Sequence, residues 1–157
     1  MSLDNRLLRY GEAPSEAAEQ SLLLNWVRFA SVKYPVLDML VHVPNEGKRS
    51  ARAGSELKRQ GLKAGYPDLA LNAARCGYHG LFIEMKKRGG RATDAQIDWL
   101  ECLEHEGNAV ALCDCMESAR NVLEAYARGD KQVLDRLLLK AENDDFNLLR
   151  ERKGRLK

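Results

Sequence analysis

The sequence predicts a mixed α/β domain in which a central β-sheet is flanked by helices. Several segments repeat apolar residues with helical spacing, and between them lie short alternating or continuously apolar runs that favour strands. The predicted elements follow the order α-β-(α)-β-β-α-β-α, which indicates one layered domain rather than separate units. With 157 residues, 45% of them hydrophobic, the chain is long enough to bury a core of its own.

The first predicted elements are a helix, a strand and a short basic helix. A polar leader over 1–14 precedes Ser15, a good N-cap, so we expect an amphipathic helix over 15–31. Its inward stripe reads Glu19, Leu23, Trp26 and Ala30. Apolar, β-branched residues predict a strand over 36–43, and segment 48–63 favours one short helix.

Three more strands and two helices are predicted in the second half. Segments 68–72 and 81–86 alternate in polarity, and 108–113 is an apolar run. The segment 117–128 is helical, and Gly129 ends it as a C-cap. Thr93 caps the other helix, which runs to His105 and whose buried side we expect to hold Ala95, Trp99, Cys102 and Leu103.

A last amphipathic helix is predicted over 131–142, followed by a basic tail. Its apolar stripe consists of Val133, Leu134, Leu137 and Leu138. Two interpretations are open, because such a stripe either packs on the protein's own core or forms an interface between two copies.

Nothing in the sequence indicates a membrane or secreted protein. No apolar run reaches the roughly 18 residues needed to span a bilayer, and no apolar stretch marks a signal peptide. We therefore expect a cytoplasmic protein with its four cysteines reduced. The pair Cys113 and Cys115 is compatible with zinc, but two thiols are too few for a structural site, so buried inert thiols are the preferred interpretation.

Positive charge is concentrated in two segments of an otherwise acidic chain. Residues 47–63 carry a net charge of +5 and residues 85–91 carry +4, so that the remainder carries −7 within a total of +2. Such a distribution is typical of proteins that bind a phosphate backbone, although solvated surface loops would give the same pattern.

One strand carries charged residues in a pattern that points to chemistry. Leu81, Ile83 and Met85 share one face of the 81–86 strand, so that Phe82, Glu84 and Lys86 share the other. If the preceding strand pairs with it, Asp68 and Glu84 approach to within about 5 Å. At that distance two carboxylates repel by roughly 3 kcal/mol, so a cation is expected between them.

A hard divalent ion with oxygen ligands, typically Mg²⁺, would relieve that repulsion. Lys86 beside it would orient a water molecule or stabilise charge on a phosphate. The residues Asp68, Glu84 and Lys86 therefore predict a metal-dependent site that hydrolyses phosphodiesters. A same-face ion pair between Glu84 and Lys86 is the structural alternative.

These residues also resemble a known family. Pro67-Asp68 followed by Glu84-Met85-Lys86 is similar to the PD-(D/E)XK nuclease motif. The surrounding segments resemble the VRR-NUC branch of that superfamily, particularly its small phage and prophage members: Pro44-Asn45-Glu46-Gly47-Lys48-Arg49, Leu57-Lys58, Gly61 to Leu69 and Gly80 to Lys86.

The resemblance implies a restriction-endonuclease-like core over residues 15–128, with 129–157 as a C-terminal helix and tail. It implies that Asp68, Glu84 and the carbonyl of Met85 are metal ligands and that Lys86 is the catalytic lysine. The family also places a glutamate on the first helix and a glutamine after the lysine strand. These fall here on Glu19, with Glu16 as the competitor, and on Gln96, for which an ordinary exposed polar residue is the alternative.

The implied function is a Mg²⁺-dependent endonuclease, with Mn²⁺ as a substitute, acting on branched or Holliday-junction DNA. A homodimer in the cytoplasm of a bacterium or a phage-infected cell is the expected form. A flap- or nick-processing nuclease and a catalytically silent DNA-binding module are the alternatives. The residues expected to contact DNA are Asn45, Lys48, Arg49, Lys58, Lys63, Lys87 and Arg88.

Overall fold

The computed structural model of the chain describes residues 14–44 and 51–141. The elements are α1 (Glu16–Ala30), a 3-10 helix (Pro35–Met39), β1 (Leu40–His42), α2 (Ala51–Arg59), β2 (Leu69–Leu71), β3 (Leu81–Met85), α3 (Asp94–His105), β4 (Ala109–Cys113), α4 (Met116–Arg128) and α5 (Lys131–Ala141). The predicted order is confirmed, with the 3-10 helix added. Three predicted caps are present as well, at Ser15, Thr93 and Gly129.

The four strands form one mixed sheet in the order β1-β2-β3-β4. β1 pairs with β2, and β2 with β3, in antiparallel fashion, whereas β3 and β4 are parallel. A parallel pair needs a crossover connection, and α3 supplies it. The predicted mixed sheet flanked by helices is confirmed.

Helices cover both faces of the sheet, so β3 is buried along its whole length. Alternate residues of β4 belong to different cores. Ala109, Ala111 and Cys113 join the main core, which α1, α4 and α5 complete. Val110 and Leu112 pack instead in a smaller core beneath α3. The sheet is therefore the middle layer of three.

The strand predicted over 36–43 is wrong in its first half. A 3-10 helix begins at Pro35, and only Leu40–His42 forms a strand. Proline favours the first turn of a helix because its φ is already helical and its missing N–H costs nothing there. The turn buries Leu37 alone and leaves Asp38 exposed, which a strand buried on one face would not do.

The predicted buried side of α3 is wrong at two of its four positions, because Trp99 and Leu103 are half-buried but Ala95 and Cys102 are not. The residues that face the sheet are Gln96, Ile97 and Leu100, whereas Ala95 and Cys102 are exposed. An apolar stripe was expected on this helix, but the inward face includes a polar residue. The cause is a hydrogen bond from that residue to the sheet, described below.

α5 packs on the protein's own core. Leu134 is fully buried in the main core, and Val133, Leu137 and Leu138 pack against it. The own-core interpretation of this stripe is therefore right, and the core continues past residue 128. Among the described residues, no helix combines the length and apolar character needed to cross a membrane.

Candidate active site

Four polar side chains are buried within the described part of the chain, and all four were predicted site residues. Asp68, Glu84, Lys86 and Gln96 are each at most 7% exposed. Burying polar and charged groups is costly unless they are bonded to one another, and buried titratable groups gathered in one place indicate a functional site.

The alternation of β3 places Glu84 on the α3 side of the sheet. Glu84 lies opposite Leu112 of β4, which belongs to the α3 core. Lys86 follows two residues later on the same face, and its Nζ lies 2.6 Å from Oε1 of Glu84. Its backbone N–H donates to the carbonyl of Cys113 at 2.8 Å, which extends the pairing of β3 with β4 beyond the strand itself. The ion pair that the sequence offered as the structural alternative is present, and both of its side chains are buried.

Asp68 lies at the start of β2 and contacts the end of β3. Its Oδ2 accepts a hydrogen bond of 2.9 Å from the backbone N–H of Met85. Its own carbonyl accepts from the N–H of Val43, so that its backbone is also held from the β1 side. The antiparallel register that pairs Leu69 with Ile83 brings Asp68 toward Glu84, as the sequence predicted.

Aromatic side chains anchor the loop that leads into Asp68. The Tyr66 ring packs edge-on against Trp99 of α3 at 5.0 Å and against Phe82 of β3 at 6.1 Å. The Trp99 indole N–H donates to the carbonyl of Ala64 at 3.1 Å. These contacts tie the loop to both elements that carry the rest of the cluster, and no pattern in the sequence had indicated them.

Gln96 connects α3 to Glu84. Its Nε2 donates to Oε1 of Glu84, the oxygen that also receives Lys86. Its Oε1 accepts from the N–H and the hydroxyl of Thr93, at 2.8 Å and 3.1 Å. The alternative of an ordinary exposed glutamine is thus wrong. Thr93 was predicted only as a helix cap; the Thr-x-x-Gln spacing of a capping box was the available signal.

The cluster has the donor set that a hard divalent cation prefers. With both carboxylates ionised and Lys86 protonated, the net charge of the cluster is −1. The atoms with which it could bind a metal are oxygens, since its four residues include no cysteine or histidine. Mg²⁺ is commonly held by one or two carboxylates, with waters and substrate oxygens completing its shell. Asp68, Glu84 and the carbonyl of Met85 fit that requirement. Across residues 14–44 and 51–141, no three acidic, histidine or cysteine side chains form a group able to hold a metal.

The contact described for the Glu19 side chain is with the start of α4. Its Oε2 accepts a hydrogen bond of 2.6 Å from the N–H of Met116, at the first turn of α4. α1 packs on the main-core face of the sheet, opposite to the face that carries Glu84. A carboxylate at a helix N-terminus is favourable for structural reasons alone, and the role of Glu19 as a ligand stays a prediction.

The predicted DNA-contacting residues divide into two groups. Lys58, Lys63, Lys87 and Arg88 are exposed. Asn45, Lys48 and Arg49 lie outside the described residues. Lys86, which contributes to the charge of segment 85–91, differs from both groups because it is buried against Glu84 rather than presented to solvent.

The cysteines divide between core and surface. Cys113 is fully buried, and burial raises the pKa of its thiol to about 12. Cys102 is exposed, however, so the expectation of buried thiols is wrong for that residue. The physical reason is the orientation of α3, which turns Cys102 away from the sheet.

Comparison with known proteins agrees with this geometry. The family model described as the VRR-NUC domain matches residues 15–117. A solved structure titled "VRR_NUC domain protein" is 32% identical, with a TM-score of 0.65 over 75% of this chain and 92% of that chain. No curated protein matches the sequence. Because the family model covers well over half of the chain, the chain belongs to the VRR-NUC family of nuclease domains.

Proposed function

We propose that this protein is a Mg²⁺-dependent endonuclease that hydrolyses phosphodiester bonds in branched DNA, including four-way junctions. The observation that carries the proposal is the composition of the buried polar cluster. Glu84 accepts hydrogen bonds from the side chains of Lys86 and Gln96, Asp68 accepts one from the backbone N–H of Met85, and all four side chains are buried at the end of a central strand. A domain that only binds DNA gains nothing from placing two buried acids near a phosphate backbone.

Asp68, Glu84 and the carbonyl of Met85 would hold the metal. When bound, Mg²⁺ supplies Lewis-acid activation of a phosphoryl oxygen and of a water molecule, and Mn²⁺ offers the same chemistry. Lys86 places its ammonium group within 2.6 Å of the Glu84 carboxylate, where it stabilises negative charge that develops on the phosphate. Gln96 holds the same carboxylate from the α3 side.

Exposed cations flank the residues of this cluster in the sequence, which supports contact with a DNA backbone. Lys87 and Arg88 directly follow Lys86, and Lys63 precedes Asp68 in the anchored loop. Contacts of this kind orient the duplex without reading its sequence. Binding through these cations would therefore not depend on the base sequence.

The site assignment is tested by three substitutions. Asp68→Asn, Glu84→Gln and Lys86→Ala should each reduce cleavage by about 100-fold or more, the reduction typical when a group that stabilises transition-state charge is removed. Binding of DNA, measured in Ca²⁺ to prevent cleavage, should be retained or improved by the first two substitutions because each removes a negative charge. Asp38→Asn and Glu117→Gln, at exposed positions, are matched controls and should cleave normally. Normal cleavage by any site variant would refute the assignment.

The substrate is tested with labelled linear, flap, fork and four-way junction DNAs, each with Mg²⁺, Mn²⁺, Ca²⁺ or no metal. We expect cleavage of the four-way junction with Mg²⁺ or Mn²⁺ only. Preferential cleavage of flaps would identify a flap nuclease with the same site. Binding without cleavage under all conditions would identify a silent DNA-binding module.

We also propose that the active form is a homodimer. A four-way junction is resolved by two symmetric cuts, and an isologous C2 dimer provides two identical sites related by the same axis. The apolar stripe of α5 does not serve this purpose, because Leu134 is buried in the core of its own chain. Light scattering of the full chain with and without junction DNA should give two copies per complex. A protein that stays monomeric at micromolar concentration under both conditions would contradict the dimer.

A further inference from the structure

The side-chain amide of Gln96 is hydrogen-bonded at both ends: its oxygen accepts and its nitrogen donates. Its oxygen faces two donors, the backbone N–H and the hydroxyl of Thr93, at 2.8 Å and 3.1 Å. Its nitrogen faces an acceptor, Oε1 of Glu84. An amide carries one acceptor end and one donor end. Turning it around would place N–H against N–H at Thr93 and oxygen against carboxylate at Glu84, so only one orientation is stable.

Thr93 performs two tasks at this position. As the N-cap of α3, its hydroxyl oxygen accepts the backbone N–H of Gln96 at 3.4 Å. The same hydroxyl donates its proton to Oε1 of Gln96. A hydroxyl has one donor and two acceptor sites, so both bonds are compatible. The cap stabilises the helix, whereas the donated bond fixes a side chain that touches Glu84.

We propose that Thr93 is a positioning residue of the nuclease site: it fixes the orientation of the Gln96 amide, and through it the orientation of the Glu84 carboxylate. This inference rests on the proposed function, because it assigns Glu84 a role in the reaction. Small errors in the placement of a reacting group lower the rate without weakening the binding of remote parts of the substrate. Removing the hydrogen bond from Thr93 to Gln96 therefore reduces kcat more than it raises KM.

The two tasks of Thr93 are separated by substitution. Thr93→Asp keeps a good cap acceptor but has no proton to donate, and its carboxylate repels Oε1 of Gln96. Combined with Asp94→Asn, it leaves the net charge of the first turn unchanged. Thr93→Ser keeps both bonds, and Thr93→Ala removes both. Asp130→Ala is the matched control, since Asp130 caps α5 through the N–H of Val133 far from the cluster.

The kinetic experiment measures junction cleavage and urea unfolding for each variant. We expect Thr93→Asp/Asp94→Asn to unfold near the wild-type midpoint but to show a kcat reduced by about fivefold to tenfold with little change in KM, the factor associated with one hydrogen bond of ordinary strength. Thr93→Ser should restore wild-type kcat. Asp130→Ala should lower the unfolding midpoint and leave kcat unchanged. Wild-type kcat in the Asp variant, or a reduction in kcat that follows unfolding midpoints across all variants, would overturn the proposal.

A spectroscopic measurement tests the same hydrogen bond independently of activity. The side-chain NH₂ signals of Gln96, assigned by their absence in Gln96→Met, should be well resolved and exchange slowly with water in the wild type and in Thr93→Ser. In the Asp variant they should shift and exchange faster. Unchanged signals would overturn the positioning role. If the wild type cleaves no DNA at all, the proposed function fails, and these signals still decide whether Thr93 orients Gln96.

Discussion

Glu84 and Lys86 are opposite charges buried side by side, and each is costly to bury without the other. The sequence predicted that a cation relieves the repulsion between Asp68 and Glu84. The metal ion expected in that place stays a prediction, and the structure shows the Lys86 ammonium bonded to Glu84 at 2.6 Å. A buried pair of this kind is expected to stabilise the fold less than well-packed apolar residues would, although breaking it is expensive. The pair is therefore better explained by chemistry than by stability.

The first prediction is that the contributions of Glu84 and Lys86 to stability depend on each other, which a double-mutant cycle measures. Lys86→Met and Glu84→Gln should each destabilise the protein by about 3–5 kcal/mol, because each leaves an uncompensated buried charge. The double variant should be destabilised by less than the sum, with a coupling of about 1–3 kcal/mol, measured by urea unfolding. The exposed pair Lys131 and Asp135 serves as control and should couple by less than about 1 kcal/mol. Additive effects at the buried pair would show that the two charges do not depend on each other.

At the scale of elements, the site depends on a loop and a helix that are distant in sequence. The segment before β2 is held on α3 by Trp99 and by the close approach of Gly65 to Ala95. Gly65 has a φ of +81°, and a Cβ there would lie 2.6 Å from the backbone carbon of Ala95. Glycine is thus required by both conformation and space.

The second prediction compares two glycines of this loop. Gly65→Ala should destabilise the protein clearly more than Gly61→Ala, because both have positive φ but only Gly65 meets backbone atoms. We expect a cost of about 1 kcal/mol at Gly61, from the left-handed conformation alone. Gly65→Ala should also reduce cleavage, since displacing the loop moves Asp68. Equal unfolding midpoints for the two variants would contradict the packing of this loop on α3.

The third prediction concerns α5 as part of the core. Leu134→Ala should cost about 2–5 kcal/mol of stability, the usual range for a buried leucine. Phe29→Ala, at a side chain that is 80% exposed, should change stability by less than about 0.5 kcal/mol. Urea unfolding checks both, and a tolerated Leu134→Ala would mean that α5 is an appendage rather than a layer of the domain.

At the scale of the whole molecule, exposed cations and the buried cluster lie at the same end of β3. The buried cluster lies at the end of β3, and the exposed cations of segment 87–88 continue from it. Lys131 lies near the opposite end of β3. Its ammonium is 4.7 Å from the ring of Tyr78, which shortly precedes the strand. A positive surface at one edge would guide DNA to the cluster.

The fourth prediction tests that surface through salt dependence. Replacing Lys58, Lys63, Lys87 and Arg88 together by alanine should reduce the slope of log binding constant against log salt by about one for each phosphate that is no longer bound. The decrease in affinity should be similar on different sequences. Arg128→Ala with Lys131→Ala, at the opposite edge, is the control and should leave the slope unchanged. An unaltered slope in the fourfold variant would mean that these cations are solvated and do not touch DNA.

The sequence by itself determined the order of the elements, their caps and the placement of Glu84 and Lys86 on one face of β3. These are local properties: Ser15, Thr93 and Gly129 act on the turns next to them, and strand alternation puts Glu84 and Lys86 on one face whatever surrounds the strand. Antiparallel pairing of neighbouring strands then brings Asp68 within reach.

Only the tertiary structure decided which faces of the helices are buried and which acids meet. Gln96 faces inward on α3 because its amide N–H donates to Glu84, a buried carboxylate on β3. The spacing of apolar residues along α3 does not predict that hydrogen bond. The Glu19 carboxylate accepts the N–H of Met116 at the start of α4, a contact between elements 97 residues apart that the inward stripe of α1 did not predict. Such outcomes depend on contacts between segments far apart in the chain, and their geometry is set by how the layers pack rather than by any one segment.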